Sequence, residues 1–173
     1  ADLSLRNSER NRIPFEVHDV DLPRIPKPLR RDFDHVIANP PYYPAGGSPS
    51  PLAIRARAMQ VETPLADWVA AATRRLRPGG WLTLICGADG LPEVLAALAP
   101  KLGSAAVLPL AAREGRPALR VILRARKGGR APFRLLAPLV IHQGPAHDGD
   151  RESYTPQANA VLRDGAGLTA LFR

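Results

Sequence analysis

The sequence has one cysteine and no long apolar run, and each shortage excludes a class of protein. Cys86 has no second cysteine to pair with, so an internal disulfide is excluded, and its place in the apolar run WLTLICG predicts a buried, reduced thiol. No stretch of eighteen uncharged apolar residues occurs, and no basic segment followed by an apolar one opens the chain. We therefore expect a cytoplasmic protein with neither a membrane span nor a signal peptide.

Acidic residues are also few relative to basic ones. The 16 Asp and Glu are outnumbered by 24 Lys and Arg, which leaves a formal net charge of +8. Such an excess favours a polyanionic partner, RNA or DNA. An arginine-rich composition inherited from a high-GC genome would give the same charge. At 173 residues and 45% hydrophobic content, the chain can form one domain with its own core.

Apolar periodicity predicts a layered α/β protein. A helix over 2–10 precedes a strand at Phe15–Val20, a proline-rich surface loop and a second strand, FDHVIA. A helix opened by Thr63-Pro64 ends at RPGG, and WLTLIC reads as a strand covered on both faces. The later elements are a helix over 91–102, an antiparallel hairpin of 105–112 with 118–125, a strand pair within 133–142, and a helix from Thr155 to Gly165.

Asn39-Pro40-Pro41-Tyr42, directly after FDHVIA, is the candidate catalytic motif. The prolines cannot donate to a sheet ladder, so the strand must end there, and ligands of open α/β sheets bind beyond such strand ends. The Asn39 side-chain oxygen and the Pro40 carbonyl can accept both hydrogens of a planar amine and turn its lone pair outward. Tyr42 can stack on the same group, a contact worth about 1–3 kcal/mol per base. A turn that only closes a strand is the structural alternative.

The residues after the motif are rich in Gly, Pro and Ser from Tyr43 to Ser50. This composition predicts a mobile loop around the mouth of a site. Tyr43 is a further candidate for substrate contact, which loop packing would explain equally well.

The motif resembles motif IV of the S-adenosylmethionine-dependent amino-methyltransferases. More narrowly, the order of six segments is similar to that of the bacterial adenine-N6 methyltransferases that modify the adenosine beside the anticodon of a valine tRNA. The segments are VHDVDL, FDHVIANPPYY, LRPGG, LRVILRARKG, PLVIH and ESYTPQA. The resemblance spans nearly the whole chain. It implies an α/β fold, a Rossmann-like class I methyltransferase sheet with an antiparallel edge hairpin, with S-adenosylmethionine as cofactor and tRNA as substrate.

Three alternatives to this function remain open at the level of sequence. Guanine-N2 methylation of ribosomal RNA and glutamine methylation of a release factor use the same chemistry. A nucleic-acid-binding fragment without catalytic activity is the alternative from another class.

The resemblance also assigns roles to individual residues. Asn39, Pro40, Pro41 and Tyr42 take the catalytic positions, and Asn39 also borders the cofactor. Asp21, at the end of the VHDVDL strand, takes the position that binds the cofactor's adenine amine. Asp19 is the second choice for that role, and Val20 lies between the two aspartates. A strand-end carboxylate without a ligand is the alternative for both.

The same resemblance implies that the first two strands and the glycine-rich cofactor loop are missing before Ala1. We therefore expect residues 1–173 to be the C-terminal portion of a single methyltransferase domain that binds cofactor weakly or not at all. A strand that lost its neighbour exposes unpaired backbone groups. We expect the FDHVIA edge to be covered by a second copy, by a swapped segment, or by the relocated N-terminal strand.

A basic stretch lies between Arg113 and Arg134, where seven arginines and one lysine are accompanied by a single acid, Glu114. Its candidate substrate contacts share a strand face or continue from it: Arg120, Arg124, Arg126 and Lys127. They predict phosphate contacts that position RNA without reading its sequence, and a sheet edge protected by charge is the alternative.

The stretch HQGPAHDGD, residues 142–150, combines histidine and aspartate. Its spacing matches no zinc or calcium pattern. No metal site is predicted.

Overall fold

The computed structural model describes residues 2–41, 63–99, 101–146 and 153–173. The chain divides into two compact units, residues 1–31 and residues 32–173.

The first unit contains one α-helix and a proline-rich segment. Helix α1, Asp2–Asn11, confirms the helix predicted there. Two short 3-10 helices follow, Leu22–Arg24 and Lys27–Leu29, each with proline near its start.

The strand predicted at Phe15–Val20 is wrong, because this segment is irregular and pairs with no described strand. A polar–apolar alternation needs a neighbouring strand before it becomes a sheet. Glu16 instead bonds locally, with its carboxylate 2.7 Å from the Arg31 guanidinium and 3.4 Å from His18 Nε2. The hydrogen bonds from His18 and then Arg31 lower the pKa of Glu16.

The second unit is built on a six-stranded mixed sheet. Its strands are β1 (Phe33–Ala38), β2 (Leu76–Gly87), β3 (Leu102–Ala111), β4 (Ala118–Lys127), β5 (Arg134–Leu135) and β6 (Leu139–Val140). The order is β1-β2-β4-β3-β5, and β6 also pairs with β3. Strands β1 and β2 pair in parallel, as do β3 with β5 and β3 with β6, whereas β4 is antiparallel to β2 and β3. The α/β sheet and its antiparallel hairpin are as predicted, but the hairpin is not the edge of the sheet, since β5 and β6 pair with β3 beyond it.

Three helices accompany the sheet. They are α2 (Leu65–Arg75), α3 (Leu91–Leu98) and α4 (Pro156–Leu162). Thr155 caps α4 as expected, since its side chain accepts a hydrogen bond from the Ala158 amide. At α2, by contrast, the cap position is Pro64 and the Ala66 amide donates to Glu93 Oε1 at 2.9 Å.

Several predicted boundaries differ from those observed. The LRPGG passage belongs to β2 instead of ending a helix, because Leu76 already pairs with Phe33 of β1. Helix α3 ends at Leu98, since the residue before Pro100 is disfavoured in helical conformation. The strand pair expected within 133–142 also forms differently, since β5 and β6 each pair in parallel with β3.

Two apolar clusters hold the sheet between its covering elements. The larger one joins α2 and α3 to one face of the sheet and includes Val69, Leu84, Val94 and Leu123, none of them exposed to solvent. The smaller one packs Phe172, from a C-terminal 3-10 helix, against Leu108 and Leu139. Cys86 lies in the larger cluster, which confirms the buried thiol.

Strand β1 is the last strand on its side of the described sheet. Its outward side chains Phe33 and Ile37 are 40% and 83% exposed. Covering of this edge by a relocated N-terminal strand is wrong, because Phe15–Val20 forms no strand. A second copy or a swapped segment stays a prediction.

Candidate active site at the carboxyl end of the sheet

The parallel strands bring several loops together at one end of the sheet. We call this the carboxyl end, because β1 ends there just before Asn39, β2 ends there at Gly87 and β3 ends there at Ala111. The antiparallel strand β4 starts there, with Arg120 opposite Gly87. Strand β6 pairs with the last residues of β3 and ends there too. This is where ligands of open α/β sheets bind.

Asn39 leaves the sheet in a conformation set by its neighbours. Ala38 is buried and paired with Leu84 of β2, and Pro40 is fully buried. Asn39 and Pro41 are exposed on either side of that buried proline. No hydrogen bond joins the Asn39 amide to another described residue, so its oxygen and nitrogen are available to a ligand.

The buried Pro40 explains why two adjacent groups can act together. The Pro40 ring fixes φ near −65°. Because the ring is fully buried, the packing around it restrains rotation of the backbone at this position. The Asn39 side chain and the Pro40 carbonyl therefore start from a fixed point at the end of β1. Tyr42 and Tyr43, with the loop predicted up to Ser50, lie outside the described residues.

The loop after β2 is tightly packed. The Asp89 carboxylate accepts a hydrogen bond of 3.0 Å from the Gly90 amide. A Cβ on Gly87 would lie 2.3 Å from Asp89 Oδ1, and one on Gly90 would lie 2.5 Å from Leu65 Cδ1. Both glycines therefore permit contacts that a side chain would block. One oxygen of Asp89 is directed to its own loop.

A second cluster closes the other side of the carboxyl end. The His142 and Tyr154 rings stack at 5.1 Å between centroids, and Ser153 Oγ lies 3.3 Å from His142 Nδ1. The Arg113 guanidinium donates to the Gln143 and Gly144 carbonyls. No sequence signal singled out Arg113, because its carbonyl partners lie some thirty residues further along the chain.

Tyr154 and Thr155, the Tyr154-Thr155 element of the ESYTPQA segment, belong to this second cluster. Thr155 Oγ1 donates to the Val140 carbonyl at 2.7 Å while accepting from the Ala158 amide at 3.1 Å. One hydroxyl thus ties the end of β6 to the start of α4. These hydrogen bonds give Thr155 a structural role that needs no contact with substrate.

The four predicted phosphate contacts are not brought together. Only Arg120 lies at the carboxyl end. Arg124 is in the middle of β4, with its guanidinium carbon 4.8 Å from the Trp81 ring centroid and 5.1 Å from that of Phe172. Arg126 and Lys127 lie at the opposite end, where Arg126 Nε donates to the Gly79 carbonyl at 3.0 Å.

Lys127 completes the end of helix α2. Its ammonium donates to the Thr73 carbonyl at 2.8 Å and the Leu76 carbonyl at 2.5 Å. The last carbonyls of a helix have no intrahelical partners, and a cation also suits the negative end of the helix dipole. Sequence alone does not reveal this role, since the partners are more than fifty residues apart.

The candidate cofactor residues lie in the first unit. Asp19 and Val20 are exposed in the irregular segment, and Asp21 occupies the cap position of the first 3-10 helix without a side-chain hydrogen bond to it. The strand end that was to present them is absent from this segment. Their contact with a cofactor stays a prediction.

Cys86 is a further titratable group near this end. Burial of the thiol, with a smaller contribution from the Asp89 carboxylate, raises its pKa to about 11. A thiol of this kind is protonated at neutral pH, so it is no nucleophile.

No helix among the described residues is long and apolar enough to cross a bilayer. No three of their His, Cys, Asp or Glu side chains lie close enough to hold a metal ion. His147, Asp148 and Asp150 of the HQGPAHDGD stretch fall outside the described ranges.

Comparison with solved structures identifies methyltransferase folds. A predicted O-methyltransferase from Agrobacterium tumefaciens matches with a TM-score of 0.71 and 25% identity, over 96% of this chain and 71% of that one. A proposed class I S-adenosylmethionine-dependent methyltransferase from Listeria monocytogenes matches with a TM-score of 0.42 and 18% identity, over 62% of this chain and 37% of that one. No protein-family model and no curated protein matches the sequence.

Proposed function

We propose that this chain, a methyltransferase with a Rossmann-like fold, transfers a methyl group to the exocyclic amine of an adenine in RNA. The observation that carries the proposal is the exposed Asn39 side chain beside the fully buried Pro40 at the carboxyl end of β1. Two acceptors held at a fixed strand end match the two hydrogens of a planar amine.

An exocyclic amine is a poor nucleophile because its lone pair is delocalised into the ring. Hydrogen bonds to the Asn39 oxygen and the Pro40 carbonyl localise that lone pair on nitrogen and direct it outward. Such preorganised acceptors act where charge changes in the transition state, and the loss of one comparable group costs about 10²–10³ in rate. The surplus proton leaves to water after attack, so no general base is needed.

We propose S-adenosylmethionine as the methyl donor, on the strength of the fold and the motif. When bound, it supplies a methyl group on a positively charged sulfur that departs as a neutral thioether. The described residues fit the acceptor half of such a site, with Asn39 and Pro40 in place. They do not supply the predicted strand end for Asp19 and Asp21.

The acceptor atom is the point on which the A. tumefaciens neighbour's name and the motif differ. That protein is named as an O-methyltransferase. An oxygen acceptor must lose its proton before or during attack, which calls for a base in the site. The acceptor pair at Asn39 and Pro40 instead suits a nitrogen that carries two hydrogens.

RNA is proposed as the substrate because of the net charge of +8 and the stacking that Tyr42 offers a base. An adenine inside an RNA double helix could not reach Asn39 and Pro40. The target base would therefore be unstacked or taken out of its stack. Basic charge favours a nucleic acid over a protein substrate.

The test is transfer of labelled methyl groups to a panel of acceptors. Unfractionated tRNA, ribosomal RNA, a release factor and catechol as an oxygen acceptor would each be incubated with labelled S-adenosylmethionine, and nucleosides would be identified after digestion. We expect N6-methyladenosine in the tRNA. N2-methylguanosine, labelled glutamine or a labelled catechol ether would each replace the proposal with a different acceptor, and no label in any acceptor would refute it.

A further inference from the structure

Positive charge is concentrated at the end of the sheet opposite Asn39. We call this the amino end: β1, β2 and β3 begin there and β4 finishes there. Seven described cations lie in or next to these element ends, and two carboxylates, Asp32 and Asp34, lie beside them. The cations are Arg74, Arg75, Arg77, Lys101, Arg126, Lys127 and Arg130.

The carboxyl end has no such excess among the described residues. Four arginines lie there: Arg113, Arg116 and Arg120 in or beside the β3–β4 turn, and Arg163, whose guanidinium carbon is 5.9 Å from the Tyr154 ring centroid. Four carboxylates accompany them, at the starts of α2 and α3 and in the two loops: Asp67, Asp89, Glu93 and Glu114. Among the described residues, the excess of positive charge therefore lies away from the candidate catalytic motif.

The internal contacts of the amino end do not neutralise it. Lys127 and Arg126 bond to carbonyl oxygens, which carry no net charge. Arg77 has a carboxylate partner, Asp34, at 3.1 Å. Helices α2 and α3 end here, and each helix C-terminus offers about half a negative charge, so the two dipoles offset about one unit of charge. The dipoles therefore explain only a small part of the excess.

Three of the cations are exposed and lie on different elements. Arg74 is in the last turn of α2, Lys101 immediately precedes β3, and Arg130 follows β4. None has a carboxylate partner among the described residues. Their mutual repulsion is therefore not offset by an ion pair within the described structure. A surface of this kind suits a ligand with repeated negative charges, such as a phosphate backbone.

We propose that the amino end of the sheet binds the phosphate backbone of the RNA whose base is methylated at the carboxyl end. The identification of the polyanion as the RNA substrate rests on the proposed function. Strand β4 separates Arg120 from Lys127 by seven residues, about 23 Å at 3.3 Å per residue. A nucleic acid strand that advances 3.4 Å per nucleotide needs about seven nucleotides to cover that distance. The substrate is therefore a polynucleotide, since a nucleotide or a short oligonucleotide in the site would not reach the amino end.

The experiment compares two triple variants that remove the same charge from different places. Arg74, Lys101 and Arg130 are changed to Gln in the test variant, and the exposed Arg10, Arg24 and Lys27 of the first unit are changed to Gln in the control. Binding of unfractionated tRNA is measured between 50 and 200 mM salt, and thermal melting verifies that each variant is folded. Each phosphate contact contributes a slope of about 0.7–0.9 to the dependence of log K on log salt.

For the test variant we expect a slope smaller by about two to three and an affinity at least about tenfold weaker at 0.1 M salt. The control should lose less than about twofold. Equal losses in both variants, an unchanged test variant, or no measurable binding by the wild type would each overturn the proposal.

Methylation assays on the same proteins separate this surface from the proposed function. If the wild type methylates no RNA but the test variant still loses tRNA binding, the surface stands and the proposed function fails. If RNA methylation is observed and the test variant binds tRNA normally, the surface fails and the function stands.

Discussion

The two ends of the sheet use similar side chains in different ways. At the carboxyl end, Asn39 is exposed and has no described partner, while Pro40 beneath it is fully buried. At the amino end, Lys127 is bound to the carbonyls of Thr73 in α2 and Leu76 in β2, and Arg126 to the Gly79 carbonyl in β2. Asn39 is thus left available to a ligand, whereas Lys127 and Arg126 are engaged by carbonyls within the fold. This difference separates residues that serve chemistry from residues that serve stability.

The largest effect is expected from removing the Asn39 side chain. Asn39→Ala loses one of the two proposed acceptors, so kcat should fall by about 10²–10³. Stability should change by less than about 0.5 kcal/mol, because the side chain is exposed and unbonded to other described residues. Methyl-transfer kinetics and thermal melting measure the two quantities on one sample.

Asn39→Asp is the matched variant, since it keeps an oxygen acceptor at the same position. It should retain more activity than Asn39→Ala. Equal activity in the wild type and Asn39→Ala would show that the carboxyl end holds its substrate by other groups.

A pH titration tests how tightly the carboxyl end is closed beneath its loops. Cys86, next to Gly87, is fully buried, and its pKa is raised to about 11 from the ordinary value of 9.0. Unfolding exposes the thiol, which then ionises from about pH 9 upward. The stabilising contribution is therefore fully present below pH 9 and lost by about pH 11, a change of about 3 kcal/mol.

The control for this titration is Cys86→Ala, which has no thiol to ionise. Denaturant unfolding of both proteins between pH 7 and pH 11 should give a constant difference below about pH 8.5. The wild type should then lose stability more steeply than the variant. Parallel curves would mean that water reaches Cys86 in the folded protein.

The amino end gives the next effect, which should appear in stability and not in catalysis. Lys127→Met keeps much of the aliphatic chain but leaves the Thr73 and Leu76 carbonyls without their donor. A buried acceptor without a partner costs about 1–3 kcal/mol. Denaturant unfolding should show that loss, while kcat on a saturating substrate stays within about twofold.

Lys127→Arg serves as the control, because it retains charge and donors with a different shape. It should recover part of the lost stability. A fall in kcat for Lys127→Met without loss of stability would instead support the direct substrate contact predicted from sequence.

The same comparison explains which features could be predicted from sequence. The β3–β4 hairpin, the capped start of α4 and the strand before Asn39 follow from local signals, namely alternation, Thr-Pro and Pro-Pro. The segment FEVHDV, Phe15–Val20, carried an equally good strand signal. It forms no strand, because no neighbouring strand pairs with it. The short strands β5 and β6 depended on pairing with β3, which no local pattern records. Local signals therefore predict the elements that do not depend on a partner distant in sequence.

The basic stretch shows this limit most directly. An alternating strand pattern placed Arg120 and Arg124 on one face, and β4 indeed contains both. Their use depends on partners distant in sequence: Trp81 and Phe172 flank Arg124, and Lys127 reaches the end of α2. Sequence indicates that a cation is present, whereas the fold determines whether it is available to RNA.

The smallest effect is expected at Thr155, which belongs to the carboxyl end but has a purely structural part. Thr155→Val preserves the shape and removes the hydroxyl that bonds to the Val140 carbonyl and the Ala158 amide. Loss of a helix cap costs about 1 kcal/mol, so the variant should melt a few degrees lower. Thr155→Ser, which keeps the hydroxyl, should recover most of the stability in the same melting experiment. A different outcome is that Thr155→Val melts normally but lowers kcat about as much as Asn39→Ala does. The Tyr154-Thr155 element would then act on substrate. The division between residues for chemistry and residues for stability would not hold within the carboxyl end.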